Sequence, residues 1–270
     1  MIGIFDSGIG GLGVAKEIRK KAPQADLVYF GDLANLPYGP KKTEELFGLT
    51  LRAMTFLQSH GATQFVSACN SVSVSVIAPL IDIFGTPKTR VIEMITPASR
   101  VIHDRCCGKI LVAATLATVR SGMYVQALAQ QGCSVEAIAL SDLASAIERK
   151  ADKKEIEIII APAIQKAIEI QAQMLVFGCT QYPFARSIFE SSFKKREYKI
   201  ELFDPSEAVA DEVSNTFDVN GKGLNTFFVS KSSAIFDQVV TDFFNSSVVD
   251  ISVEKQCNAN AFHTCAFLSK

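Results

Sequence analysis

A chain of 270 residues, 48% of them apolar and 20% charged, can bury one large core or two medium ones, which excludes a disordered polypeptide. Its 27 basic and 28 acidic residues leave a net charge of −1, which excludes the electrostatic footprint of a nucleic-acid or anionic-membrane binder. No apolar run reaches bilayer-spanning length, and the start Met1-Ile2-Gly3-Ile4-Phe5-Asp6 lacks the basic region and cleavage site of a secretory signal, so the cytoplasm is the expected location.

In chain order, short apolar runs alternate with longer amphipathic stretches. Strands are expected at Ile2–Phe5, Asp26–Phe30, Gln64–Ala68, Arg90–Met94, Lys109–Ala114, Ser134–Ala139, Met174–Gly178, Lys199–Phe203 and Asn225–Ser230. Helices are expected at Leu12–Lys21, Thr43–His60, Val72–Phe84, Ala98–Arg105, Ser121–Gln131, Lys153–Gln171 and Tyr182–Ser192. This alternation predicts an α/β fold with mostly parallel sheets. No Pro/Gly-rich linker divides the chain.

An internal echo stands out. The run Gln64–Ala68 leads into Cys69-Asn70-Ser71, and Met174–Gly178 leads into Cys179-Thr180-Gln181. Each is a strand, a cysteine, two small polar residues and then a helix. Ligands of open α/β sheets bind beyond the carboxyl ends of strands, so both cysteines are placed where chemistry occurs. A buried lone cysteine is ordinarily a small core hydrophobe. Two at equivalent strand ends, each at the start of a helix that lowers a thiol pKa toward neutrality, suit a two-base reaction: one thiolate takes a proton and the other thiol returns one.

The seven cysteines are an odd number in a chain without an export signal, so reduced thiols are expected. Cys106, Cys107 and Cys133 read as packing or surface-filling residues, and Cys257, His263 and Cys265 lack the second ligand pair of a metal site. His60 and His103 read as capping or solvated residues, and the pairs Lys20-Lys21, Lys41-Lys42 and Lys194-Lys195 as solvated surface. The glycine-rich turn Asp6-Ser7-Gly8-Ile9-Gly10-Gly11 follows the first strand and fits neither a Walker nor a full dinucleotide pattern. By itself it is a tight strand-to-helix turn or a cradle of backbone amides for an anion.

Taken together and in order, Ile2-Gly3-Ile4-Phe5-Asp6-Ser7-Gly8-Ile9-Gly10-Gly11, Tyr29-Phe30-Gly31-Asp32 with Pro37-Tyr38-Gly39, Ala68-Cys69-Asn70-Ser71, Ala117-Thr118-Val119-Arg120-Ser121-Gly122 and Gly178-Cys179-Thr180-Gln181-Tyr182-Pro183 resemble the glutamate racemases of the aspartate/glutamate racemase family. The match covers residues 2 to about 183 and is loose after 204. The resemblance implies two similar α/β domains, each with a mostly parallel sheet flanked by helices, and an active site in the cleft between them. Residues 1–93 with 204–270 would form the first domain and 94–203 the second.

It further implies cofactor-independent racemisation of an acidic amino acid, L-glutamate to D-glutamate, supplying D-glutamate for peptidoglycan. Cys69 and Cys179 would be the catalytic pair, with Asp6 assisting Cys69 and Glu148 on the side of the second cysteine. Ser7, Asn70, Ser71, Thr118 and Thr180 would hold the substrate, Pro37, Tyr38 and Gly39 would wall the cleft, and no metal site is implied. A solvated helix-face residue is the other reading of Glu148, because Leu140-Ser141 stands where the family has Cys-Pro.

The main departure is Gln181, which stands where the family carries histidine. A carboxamide cannot shuttle a proton near pH 7, yet it can orient the thiol or donate to a substrate carboxylate. Two-cysteine racemases acting on aspartate also lack that histidine, so aspartate or another small diacid is the alternative substrate. A decarboxylase or cis–trans isomerase on the same scaffold, and a catalytically impaired binding homologue, are the competing functions. The expected partner is a small acidic amino acid, with a homodimer as the one macromolecular association considered and neither nucleic acid nor membrane.

Overall fold

The structure is a computed structural model that describes residues 1–74, 90–105 and 108–244, and the backbone of 251–253. Its strands are β1 (Ile2–Asp6), β2 (Leu27–Gly31), β3 (Gln64–Ser67), β4 (Val91–Glu93), β5 (Lys109–Ala114), β6 (Ser134–Ala139), β7 (Met174–Gly178), β8 (Glu201–Phe203), β9 (Asn225–Val229) and β10 (Ile251–Val253). All pair in parallel, in two sheets ordered β10-β9-β2-β1-β3-β4 and β6-β5-β7-β8. The strands of the first sheet come from 2–93 and 225–253, and those of the second from 109–203.

The helices are α1 (Gly11–Lys21), α2 (Thr43–Ser59), α3 (Asn70–Ser73), α4 (Ile95–Arg105), α5 (Leu116–Ser121), α6 (Met123–Gln130), α7 (Leu143–Glu148), α8 (Lys153–Glu169), α9 (Arg186–Lys194), α10 (Ser206–Thr216) and α11 (Ala234–Phe244). In α8, Ile156, Ile160, Ala163, Ile164 and Ala167 form the buried stripe that a 3.6-residue period demands. The Asp152 carboxylate caps that helix by accepting from the Glu155 amide at 2.9 Å.

Two of the expected helices differ in outline, and further helices were not expected. The helix expected at Ser121–Gln131 is α6, which starts at Met123; Ser121 ends the preceding α5, and Gly122 separates the two with a φ of +66°, the left-handed geometry glycine tolerates. The stretch expected at Tyr182–Ser192 opens with a 3₁₀ turn, Tyr182–Ala185, which takes Pro183 in its first turn, where no amide donor is needed; α9 follows it. The helices α5, α7, α10 and α11 are not among those expected from sequence, although Val209 and Val213 already show the i, i+4 spacing that buries α10. The expected helix Val72–Phe84 lies outside the described residues beyond Val74, as do Cys106, Cys107, Cys257, His263 and Cys265.

In both sheets the first strand of a unit sits between the second and third: β2-β1-β3 and β6-β5-β7. Each unit runs to one side and then crosses back, so β1/β3 and β5/β7 are topological switch points where crevices open. Cys69 follows β3 and Cys179 follows β7, which is the structural origin of the echo in the sequence. One buried apolar cluster spans the two sheets, joining Ile4, Ile9 and Leu12 to Leu111, Leu175, Phe177 and Phe189.

Candidate active site

The carboxyl ends of β1, β3, β5 and β7 surround a cavity of about 250 Å³. That is below the ~300–1,000 Å³ typical of drug-sized ligands and suits a molecule of amino-acid size. Ser7, Cys69, Asn70 and Ser71 line it from the first sheet, and Cys179, Thr180 and Gln181 from the second. Pro37, Tyr38 and Gly39 form part of its wall.

Three of the candidate residues stand behind that lining. Asp6 is fully buried, with Oδ1 accepting from the Gly8 amide at 2.7 Å and Oδ2 from the Thr180 hydroxyl at 3.0 Å. Thr118 is one bond removed: its hydroxyl pairs with Thr115 Oγ1 at 3.0 Å, which pairs with Ser71 Oγ at 2.9 Å. Glu148 lies behind Gln181, with Oε1 accepting from Gln181 Nε2 at 2.5 Å and from the Ile9 amide at 3.2 Å. Gln181 therefore donates to a carboxylate of the protein.

Sequence reasoning missed Thr115, Ser141, Asp142 and Ser145, which also line the cavity. Thr115 carries a legible signal, because a threonine directly after a strand and before a helix is an N-cap; its side chain accepts from the Thr118 amide. Ser141, Asp142 and Ser145 lie around the start of α7, whose register the sequence does not reveal.

The loops are held by their own polar groups. Ser73 Oγ donates to the Cys69 carbonyl at 3.0 Å, pinning the turn after the first cysteine. The Tyr29 hydroxyl donates to the Gly8 carbonyl at 2.8 Å, and Tyr38 donates to Asp32 Oδ2 at 2.6 Å, so the wall tyrosine is oriented from behind. The turn glycines are contact points between the halves. A Cβ on Gly10 would meet the Thr180 carbonyl carbon at 2.7 Å and the Gln181 nitrogen at 2.8 Å.

Both thiols are buried, and their electrostatics depart from the sequence expectation of lowered pKa values. Burial, with the Asp6 carboxylate second, pushes the Cys69 thiol up to about 12. Burial pushes Cys179 up as well, with the negative charges of Cys69 and Asp6 adding to it. Desolvation outweighs the helix starts here: the helix after Cys69 spans four residues, and a 3₁₀ turn follows Cys179. Opposing it are amides of Ser7 and Val72 at Cys69, and of Gln181 and Tyr182 at Cys179, each favouring thiolate. Because a thiolate at Cys69 raises Cys179 further, the two thiols do not ionise together, and the reactive form carries one thiolate at most.

Burial also raises Asp6 above the usual carboxylate range and brings Glu148 to about 7, the Ile9 amide opposing the shift at Glu148. Cys133 is buried in the core near Leu128, and His60 bonds the Phe56 carbonyl at 2.8 Å and packs on Phe56 and Phe228. Among the described residues there is no cluster of metal-ligating side chains and no helix long and apolar enough to cross a membrane.

Residues 13–213 match the family model described as Asp/Glu/Hydantoin racemase. A glutamate racemase of Desulforudis audaxviator is 31% identical over 258 residues, covering 90% of this chain and 93% of that protein. The glutamate racemase isoform RacE1 from Bacillus anthracis superposes with a TM-score of 0.81 at 28% identity, covering 93% of this chain and 97% of that one. The glutamate racemase from Aquifex pyrophilus gives 0.77 at 28% identity, with the same two coverages.

Proposed function

Because the chain belongs to the Asp/Glu/Hydantoin racemase family, we propose that it is an amino-acid racemase acting on an acidic amino acid, with glutamate as the substrate. The observation that carries this is the pair Cys69 and Cys179, set at equivalent strand ends and opening onto one small cavity. The named relatives, glutamate racemases over most of their length, support glutamate ahead of aspartate.

In this reading the thiolate of one cysteine removes the α-proton and becomes a thiol. The thiol of the other delivers its proton to the opposite face and becomes the thiolate. Net charge and proton count are unchanged, and the pair is left in the form that accepts the product enantiomer until proton exchange with solvent resets it for the next turnover in the same direction. No cofactor enters the scheme, so the rate comes from positioning and from donors already aimed at developing charge. Ser7, Asn70, Ser71, Thr180 and Gln181 bind the substrate at the cavity wall, and Thr118 supports Ser71 through Thr115.

Asp6 tunes Cys69 through space, and Glu148 acts through Gln181. The working units are residues 1–93 with 204–270, and 94–203. Cytoplasmic D-glutamate would feed peptidoglycan, and a homodimer is the assembly state to test.

The experiment is incubation with L-glutamate, and separately L-aspartate, in D₂O, following α-proton loss by NMR and enantiomer composition by chiral chromatography. Cys69→Ala and Cys179→Ala should each lower racemisation by at least ~10³-fold, because one face of the α-carbon then has no acid/base. Near-normal racemisation by either variant would end the two-thiol reading. Activity on aspartate alone would reassign the substrate.

A further inference from the structure

The Asn70 side chain is 2% exposed and lines the cavity, yet only half of it is engaged. Its Oδ1 accepts from the Tyr124 hydroxyl at 2.7 Å, while its Nδ2 has no hydrogen-bond partner. A buried amide N–H left unmade is costly, and such atoms in native proteins call for an explanation. Tyr124 is itself 1% exposed and comes from α6, in the layer of the second sheet, so the bond reaches across to the turn that carries Cys69.

We propose that Tyr124 is a positioning residue that sets the hydrogen-bond polarity of Asn70, reserving Nδ2 as a donor to a carboxylate of the substrate. The Tyr124 hydroxyl has one hydrogen to donate, and among the described residues Asn70 Oδ1 is its acceptor. Rotating the amide by half a turn would place Nδ2 against the hydroxyl and leave that hydrogen unaccepted. Burial and the charges of Glu93, Asp204 and Cys179 hold the phenol well above its ordinary pKa, so it stays a donor at neutral pH. The amide is thereby prevented from presenting its oxygen, which would repel a carboxylate. Nδ2 is itself covered in this structure, so its contact forms as the wall adjusts around the ligand.

The inference rests on the reading of the cavity as the substrate site, and its test separates the two. Tyr124→Phe, Asn70→Ala and the double variant are compared by steady-state kinetics in both directions, with inhibition by glutarate, a dicarboxylate without an ammonium group, as the binding probe. Tyr124→Phe should raise KM and the glutarate inhibition constant together by about tenfold, the ordinary worth of one hydrogen bond to a charged group. It should leave kcat within about twofold and add nothing in the Asn70→Ala background.

A purely structural role would instead lower kcat and add to Asn70→Ala, which would overturn the assignment. A raised KM with unchanged glutarate inhibition would show that Asn70 serves the ammonium group, and would overturn it too. Asn70→Asp checks polarity should Tyr124→Phe fail to fold. It leaves the tyrosine an acceptor but turns an anionic oxygen to the ligand, so glutarate binding should fall more than about tenfold; unchanged binding would refute the donor role. If Cys69→Ala retained racemisation, the site reading would fail, whereas an unaffected Tyr124→Phe beside an inactive Cys69→Ala sinks this inference alone.

Discussion

At residue 181 the side chain that stands where a histidine is expected is tied to Glu148, and Glu148 is tied to the Ile9 amide on the other half of the molecule. The amide therefore completes a clasp beside Cys179 but cannot relay a proton. Restoring an imidazole by Gln181→His should raise kcat/KM equally in both directions, because mirror-image substrates have equal energies. A tenfold gain would correspond to about 1.4 kcal/mol of transition-state stabilisation. Lower activity in both directions would show that the clasp itself is what turnover needs.

Glu148 makes a second, pH-dependent prediction. Its pKa lies near 7 in the folded protein against an ordinary 4.5, so folding favours the protonated form. The stability this contributes is present below the ordinary value and is lost as pH rises through about 7. Urea midpoints should therefore show wild type losing stability relative to Glu148→Gln between about pH 5 and about pH 8. A pH-independent difference would mean that the carboxyl is not desolvated.

Among the elements, the turn between β1 and α1 is the one whose backbone both halves share. Gly10 touches Thr180 and Gln181 closely enough that any Cβ displaces backbone, whereas three residues on, Gly13 meets nothing within 4 Å. The pair forms a matched experiment. Gly13→Ala should stabilise the protein by about 0.5–1 kcal/mol, since it lies inside a helix with open space around it. Gly10→Ala should destabilise by roughly 1–3 kcal/mol. By shifting Thr180 relative to Cys69, it should also cost on the order of 10²-fold in kcat/KM. Denaturation curves and kinetics on both variants check this, and a neutral Gly10→Ala would mean the halves do not meet where the structure places them.

For the whole molecule, the shared apolar cluster argues that the halves are docked by burial, which limits how far the cleft can open. The charge at its mouth is the feature with a kinetic consequence. Asp142, exposed at the start of α7, is the one charged side chain among the described residues lining the cavity. A substrate with two carboxylates approaches a negative rim, so Asp142→Asn should lower KM for glutamate a few-fold at low salt, and the difference should shrink as ionic strength rises. KM measured across a salt series decides it; an unchanged KM at low salt removes Asp142 from substrate selection.

Nine strands, the parallel α/β class and the family were legible in the chain because apolar runs, strand-to-cysteine turns and ordered motifs are local features that survive without tertiary context. So were both thiols with Ser7, Asn70, Ser71, Thr180 and Gln181 just past their strand ends, and the wall residues Pro37, Tyr38 and Gly39 through the ordered motifs. The helices α7, α10 and α11 were not read, nor the break at Gly122: α7 spans only six residues, and α10 and α11 lie in the region after 204 where the ordered motifs run out. Asp142 and the Tyr124–Asn70 bond depend on how α7 and α6 dock, and no local pattern encodes docking. The direction of the thiol shifts was likewise decided by tertiary structure: a helix start is visible in sequence, but the desolvation that outweighs it exists only once the two sheets close around the cavity.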